Sequence, residues 1–121
     1  MNRLKVFIIA PYSDGDTLTP EQRVENVERV ERVAIELMDN GLIPFAPHLY
    51  HYLQEKFPRT WQFWMDQTLE WIRSCEVVLR LPGETAGGER ETKLAEAYVK
   101  EFYYTTEELI RERGWKRPGG A

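Results

Sequence analysis

A chain of 121 residues, 42% hydrophobic and 30% charged, has the composition of one soluble globular domain and is too short for two separate cores. Its formal net charge of −4 gives no electrostatic reason to hold a nucleic acid duplex or an anionic membrane surface, and neither is expected as a partner. The apolar run Val6–Ala10 is too short for a secretory core or a membrane span, and a lone Cys75 cannot close an internal disulfide, so a cytoplasmic location is expected.

The pattern alternates along the chain. Val6–Ala10 is unbroken apolar, as in a strand covered on both faces. Turn-forming residues fill Pro11–Thr17. Thr19-Pro20-Glu21-Gln22 has the form of a helix start, with Thr19 as cap, Pro20 at the first helical position and Gln22 closing a capping box. Val24, Val27, Val30, Ala34 and Leu37 then form one helical face, which Asn40-Gly41 stops. Leu42–Ala46 reads as a second strand ended by Pro47, and a long loop follows. Thr60 opens a second helix with Trp61, Trp64, Met65, Thr68, Trp71 and Ile72 on one side. Val77–Leu81 is a third strand, Pro82–Gly88 a glycine-containing loop, and Glu89 to about Val99 a third helix. Phe102–Tyr104 is a weaker fourth strand; Thr105–Glu108 is a second capping box that starts a last helix, ended by Gly114. Residues 116–121 read as a flexible tail.

Strands alternating with helices predict an α/β fold over residues 1–121 as one domain: a three-layer, Rossmann- or flavodoxin-like arrangement around a four- to five-stranded parallel sheet, with strand order 2-1-3-4 at its centre. Ligands of such sheets bind outside the carboxyl ends of the strands. That rule selects Tyr12–Thr17, Pro47–Tyr52, Arg80–Glu91 and Tyr104–Thr106.

The third of these segments carries the sharpest signal. Gly87 and Gly88 at a helix start allow close backbone approach, and free amides there favour an anionic group. Glu91, Leu94, Ala95 and Tyr98 recur at helical spacing, which puts a carboxylate at the head of an apolar face. Such a carboxylate either complements the helix dipole or lines a pocket. Glu89 is expected to face solvent. No Gly-Lys-Ser/Thr follows, so the loop is not a P-loop.

Over Lys5 to Leu109 the sequence resembles the nucleoside 2-deoxyribosyltransferase-like family. The resemblance rests on Lys5–Ser13, Asn26-Val27-Glu28-Arg29, Pro44–Leu49, Leu69-Glu70-Trp71-Ile72, Leu79–Glu84, and Gly87-Gly88-Glu89-Arg90-Glu91 with Ala95. It implies a nucleoside or nucleotide ligand and an N-glycosidase or deoxyribosyltransferase that acts on a 2′-deoxyribonucleoside or its 5′-monophosphate. Glu91 would attack the anomeric carbon, expel the base and hold the sugar covalently until water or a second base takes it, as in a retaining glycosidase. Attack needs an ionised carboxylate, so Glu91 is expected to keep a low pKa, helped by the helix amino terminus and Arg90.

By the same resemblance the Pro11-Tyr12-Ser13 turn, Gly87, Gly88 and Arg90 would hold a 5′-phosphate. No metal or organic cofactor is implied, and a homodimer or higher homo-oligomer is. The family's enzymes carry a tyrosine where Phe7 stands and an aspartate where Thr68 stands. Tyr12 is the expected replacement for the hydroxyl, and Asp66 or Asp14 for the acid. A catalytically weak or inactive nucleotide-binding or regulatory module of the same fold is the alternative.

Other candidates have plainer readings. His48 and His51 are three apart, but no further ligand is grouped with them; His48 is expected to contact the base or pack the loop, with no metal. Ser13–Thr17 lacks the ligands of a calcium loop after its glycine and reads as a turn near the sugar. Arg80 in an apolar strand needs a partner, at the pocket rim or in Glu84. The tryptophans of the second helix suit core or subunit interface, the Trp61–Trp71 side being the expected contact between copies.

Overall fold

The computed structural model describes residues 3–12, 18–83, 86–98 and 100–115. In chain order the elements are β1 (Lys5–Ile9), α1 (Pro20–Asp39), β2 (Ile43–Phe45), a 3₁₀ turn (Pro47–Tyr50), α2 (His51–Lys56), α3 (Trp61–Ser74), β3 (Val77–Arg80), α4 (Ala86–Ala97), β4 (Glu101–Tyr103) and α5 (Thr106–Arg113). The described strands form one sheet in the order β2-β1-β3-β4. Every pairing is parallel, with Phe7 beside Phe45 and Val78, and Leu79 beside Tyr103. This is the order read from the sequence. Pro44 sits on the edge strand β2, where a missing amide costs least.

Strand pleating explains the continuous apolar runs. Val6, Ile8 and Ala10 of the first run, with Val77 and Leu79, face the layer of α1 and α5 and pack on Val30, Ala34, Leu37 and Leu109. Phe7, Ile9 and Val78 face the opposite layer and pack on Ile72 of α3 and Ala95 of α4. Both faces are thus buried, and the three-layer α/β fold follows.

The helix starts follow side-chain chemistry. Thr19 accepts from the Gln22 amide at 3.1 Å while Gln22 accepts from the Thr19 amide at 2.8 Å, the reciprocal box expected there. Thr60 and Thr105 accept from the Phe63 and Glu108 amides. At the other end of α1, Gly41 has φ +80° and the Trp115 carbonyl lies where its Cβ would be. The Trp115 amide donates to the Asn40 carbonyl at 2.8 Å, clipping the chain beyond α5 under α1.

Two elements differ from expectation. The segment after β2, expected as loop, contains the 3₁₀ turn and α2, elements too short for a helical period to register. Aromatic contacts hold it: Tyr50 stacks on Trp64 at 5.1 Å and accepts from Trp71 Nε1 at 3.1 Å, while Phe45 stacks on Trp71 at 4.2 Å. Helix α4 begins at Ala86, so Gly87 and Gly88 lie in its first turn instead of in a preceding loop. Amides of a first turn have no intrahelical acceptor, so poor helix formers cost least there. On α3, Thr68 and Ile72 are buried, whereas Trp61 and Trp71 stay 52% and 40% exposed. The sheet covers only the narrow stripe. The expected tail at 116–121 lies outside the described residues.

Leu79 is fully buried in β3, the strand that joins both halves of the sheet. Leu79→Ala is expected to lower unfolding free energy by about 2–5 kcal/mol, measured by denaturant titration, with the parallel-sheet circular dichroism retained.

Candidate functional site at the carboxyl edge of the sheet

The loops that leave β1, β2 and β3 are tied together. The His48 Nε2–H donates to the Pro11 carbonyl at 2.9 Å, because a carbonyl can only accept. Asn26 donates from α1 to the Tyr12 carbonyl at 2.9 Å, and Arg29 to the Pro82 carbonyl at 3.2 Å. Gly83 has φ +120° and comes so close to Pro11 that a Cβ would lie 2.3 Å from its ring. A side chain there is excluded twice, by backbone conformation and by the neighbouring loop. Asn26 and Arg29, quoted above only as part of a resemblance, therefore act as braces between α1 and the loops.

Glu91 stands on the second turn of α4, with Ala95 of the Phe7 core one turn below it, and is only 7% exposed. Burial pushes its carboxyl up from the ordinary glutamate value to about 8, and Arg80 pulls the other way. The expectation of a low pKa is thus corrected: loss of hydration outweighs nearby positive charge. The opposing cation is also not Arg90. That side chain is exposed and lies over the Trp61 ring at 4.6 Å. Arg80 instead leaves the end of β3, donates to Thr92, and pairs with Glu89 at 2.8 Å. Glu89 faces solvent as expected, 55% exposed, but it is not a bystander. It shares the cation that otherwise acts on Glu91.

Tyr12 is half-buried, and its hydroxyl lies 2.5 Å from His51 Nδ1. Burial raises its pKa further, so the phenol is protonated at neutral pH. The rings of His48 and His51 both meet it edge-on at 5.6 Å. Burial lowers the pKa of His48 and keeps it neutral; its Nδ1 is buried without a hydrogen-bond partner among the described residues. No group of three metal-ligating side chains occurs among the described residues.

Other candidates are placed elsewhere. Phe7 is completely buried in the core against Phe45 and offers no surface to a ligand. Thr68 is buried too, with its hydroxyl donating to the Trp64 carbonyl at 3.0 Å. Asp66 is exposed and accepts from Gln62 at 2.7 Å; two residues of helix turn it away from the Thr68 face. It is not part of the buried group. Ser13, Asp14 and Glu84 lie outside the described residues, and of Gly87 and Gly88 only the helical backbone is described. His51, Glu55 and Thr92 join the site without having been singled out for it, because helical or strand periodicity cannot show which loop residues meet.

A cavity of about 290 Å³ opens at the other end of the sheet, between Leu4, Gly41, Arg113 and Trp115. Its cations are engaged, Arg113 by Glu101 and Arg3 over the Trp115 ring.

A family model described as a domain of unknown function, DUF7768, matches residues 4–105. No curated protein matches the chain. Among solved structures, the 2-deoxyribosyltransferase of Leishmania mexicana is similar at 14% identity and TM-score 0.59, covering 84% of this chain. The chain spans only 63% of that enzyme's length. The 2-deoxyribosyltransferase of the psychrotolerant Bacillus psychrosaccharolyticus is similar at 18% identity and TM-score 0.54, over 81% of this chain and 69% of its own. The CMP N-glycosidase of Clostridium botulinum is similar at 14% identity and TM-score 0.56, over 90% and 82%. The chain has the fold of the nucleoside 2-deoxyribosyltransferase-like proteins.

The raised pKa of Glu91 has a consequence for stability. The folded state keeps a proton that the unfolded chain has lost, so this group destabilises the fold increasingly as pH rises from the ordinary glutamate value to about 8. Glu91→Gln is expected to match wild type in acid and to exceed it above that range by a few kcal/mol, at roughly 1.4 kcal/mol per pK unit. Thermal unfolding across pH measures this; a difference that does not change with pH refutes the burial account.

Proposed function

The chain belongs to the DUF7768 family of domains of unknown function, and from that footing and its deoxyribosyltransferase fold we propose that it cleaves or transfers at the N-glycosidic bond of a 2′-deoxyribonucleoside or its 5′-monophosphate. The observation that carries the reading is the buried Glu91 carboxyl, at the start of a helix, beside a strand-end arginine, at the carboxyl edge of a parallel sheet.

In this reading an oxygen of ionised Glu91 forms a bond to the anomeric carbon as the bond from that carbon to the base nitrogen breaks. The departing base takes a proton, and Tyr12, a protonated phenol, is the donor. Water or a second base then attacks the sugar ester and regenerates the carboxylate. Backbone amides of the first turn of α4, at Gly87 and Gly88, suit a 5′-phosphate if the substrate carries one. Arg90 would have to leave the Trp61 ring to join them. His48, which holds the β1 loop through the Pro11 carbonyl, would contact the base only through the small part of its ring that stays exposed. No cofactor enters the chemistry.

A second reading has its own support. Phe7 has no hydroxyl to offer and is sealed in the core, the Thr68 hydroxyl is bound to a main-chain carbonyl, and Glu91 holds its proton at neutral pH. These features favour a module that binds a nucleotide and turns over slowly. We also place the chain in the cytoplasm, where its buried free thiol suits a reducing environment, and infer a homo-oligomer. The exposed Trp61–Trp71 side of α3 is the surface a second copy would cover.

Incubation with deoxynucleosides and their monophosphates, with free base read by chromatography, is expected to show release that is lost in acid, where Glu91 holds its proton. Glu91→Ala is expected to remove several kcal/mol of transition-state stabilisation, a loss of at least about a thousandfold, while Glu36→Ala on the exposed side of α1 retains wild-type rates. Wild-type turnover by Glu91→Ala refutes the glycosidase assignment in its central residue. Calorimetric binding of a nucleotide without base release supports the second reading. Light scattering is expected to give a dimer or larger; a monomer at micromolar concentration ends the oligomer proposal.

A further inference from the structure

Tyr12 does not stand alone at the sheet edge. Its hydroxyl lies 2.5 Å from Nδ1 of His51, and Nε2 of the same ring lies 3.7 Å from Oε1 of Glu55, one turn further along α2. His51 is 5% exposed, Tyr12 is half-buried and Glu55 is 63% exposed, so the chain of groups runs from solvent into the loop cluster. At 3.7 Å the Glu55 carboxylate acts on the ring through its charge and not through a hydrogen bond, and that charge favours the tautomer with its hydrogen on Nε2. In the neutral ring Nδ1 is then the acceptor, and the Tyr12 O–H is tied to it. When His51 gains a proton, Nδ1–H donates to the Tyr12 oxygen, and the phenolic hydrogen is free to point elsewhere. Protonation of one buried imidazole therefore reverses the direction of the Tyr12 hydrogen bond.

We propose that Tyr12, His51 and Glu55 form a proton-delivery unit for the departing base, in which His51 is a positioning residue that turns the Tyr12 hydroxyl toward the base and resupplies its proton. The inference rests on the N-glycosidic reading above. The step balances. As the glycosidic bond breaks, its electron pair goes to the base nitrogen, which takes the phenolic hydrogen of Tyr12. The phenolate takes the hydrogen from His51 Nδ1. The ring is left neutral with its remaining hydrogen on Nε2, facing Glu55. A proton from solvent resets it.

The charges around the unit agree with this direction of flow. Arg23 of α1 acts on Tyr12 in the sense that favours the phenolate, Glu55 of α2 in the opposite sense, and neutral His48 and Tyr52 meet the cluster ring-edge to ring. The Tyr52 hydroxyl is itself occupied by Glu31 of α1. The unit also fills the functional gap left by an exposed Asp66 and a Thr68 hydroxyl bound to main chain.

The test is a pH profile of base release by the full chain. Wild type is expected to give a bell, with a rising limb from ionisation of Glu91 and a falling limb from loss of the His51 proton. His51→Gln is expected to lower kcat by at least about tenfold, at the lower end of what a positioned proton donor supplies, to leave KM within about twofold, and to lose the falling limb. Added imidazole is expected to restore rate to His51→Ala. Unchanged kcat, or a falling limb that survives in the variant, overturns the proposal.

If the His51 variants do not fold, Glu55→Gln carries the test. Its side chain is exposed, and a loss of about two- to fivefold with unaltered KM is expected for a solvent-screened pair; no loss overturns the role of Glu55 and of the unit. Should wild type release no base from any substrate, the N-glycosidic reading fails by itself. The Tyr12–His51 hydrogen bond is then read by nitrogen NMR, where His51 Nδ1 must be the unprotonated acceptor in alkali and must shift on Tyr12→Phe. No shift overturns it.

Discussion

A carboxyl group held out of water is the constraint around which the rest of the carboxyl edge is arranged. Glu91 is buried because α4 must lay Ala95 and Leu94 on the Phe7–Ile9 face of the sheet, and a helix that does so brings the residue one turn earlier to the same side. The cost is loss of hydration, and the group meets it by keeping its proton. Arg80 could offset that cost more fully, but it is shared with Glu89 and Thr92. The division of Arg80 among its partners, not the identity of Glu91 alone, therefore sets how readily this site ionises.

Around that group the loops are held by hydrogen bonds to main-chain carbonyls. Pro11, Tyr12 and Pro82 each have a carbonyl taken by a side chain from another element, respectively His48, Asn26 and Arg29. Backbone carbonyls of loops need partners once they leave solvent, and a side chain anchored in a helix fixes the loop as it satisfies them. The contact of Gly83 with Pro11 completes this, since only a residue without a Cβ lets the β1 and β3 loops approach so closely. Tyr12 and His51 meet within this frame, supplied by the loop after β1 and the short helix after β2.

On the α3 side, aromatic rings take the place of a wider sheet. A line of contacts runs from Phe7 through Phe45 to Trp71, and from Phe45 through Tyr50 to Trp64, joining the core to the surface. Each pair is offset, tilted or edge-on, as ring quadrupoles favour. This packing fixes the 3₁₀ turn and α2 against α3, and so positions His51. It also leaves Trp61 and Trp71 substantially open, more apolar surface than one sheet face of this size covers.

The sequence by itself determined the sheet, its order and most helix limits, because these depend on local chemistry: unbroken apolar runs for two-faced strands, threonine caps, and Asn40-Gly41 where α1 ends. It also determined the inward side of α4, since Glu91, Ala95 and their spacing follow from the helical period. Tertiary structure alone decided what those residues do to one another. Whether Arg80 turns to Glu84, Glu89 or Thr92, whether Arg90 stacks on Trp61, and whether Tyr12 meets His51 depend on contacts between loops far apart in the chain, which no periodicity encodes. The pKa of Glu91 belongs to the same class: the identity of the residue supplies a carboxyl, and only the water excluded by the surrounding elements sets the cost of its charge.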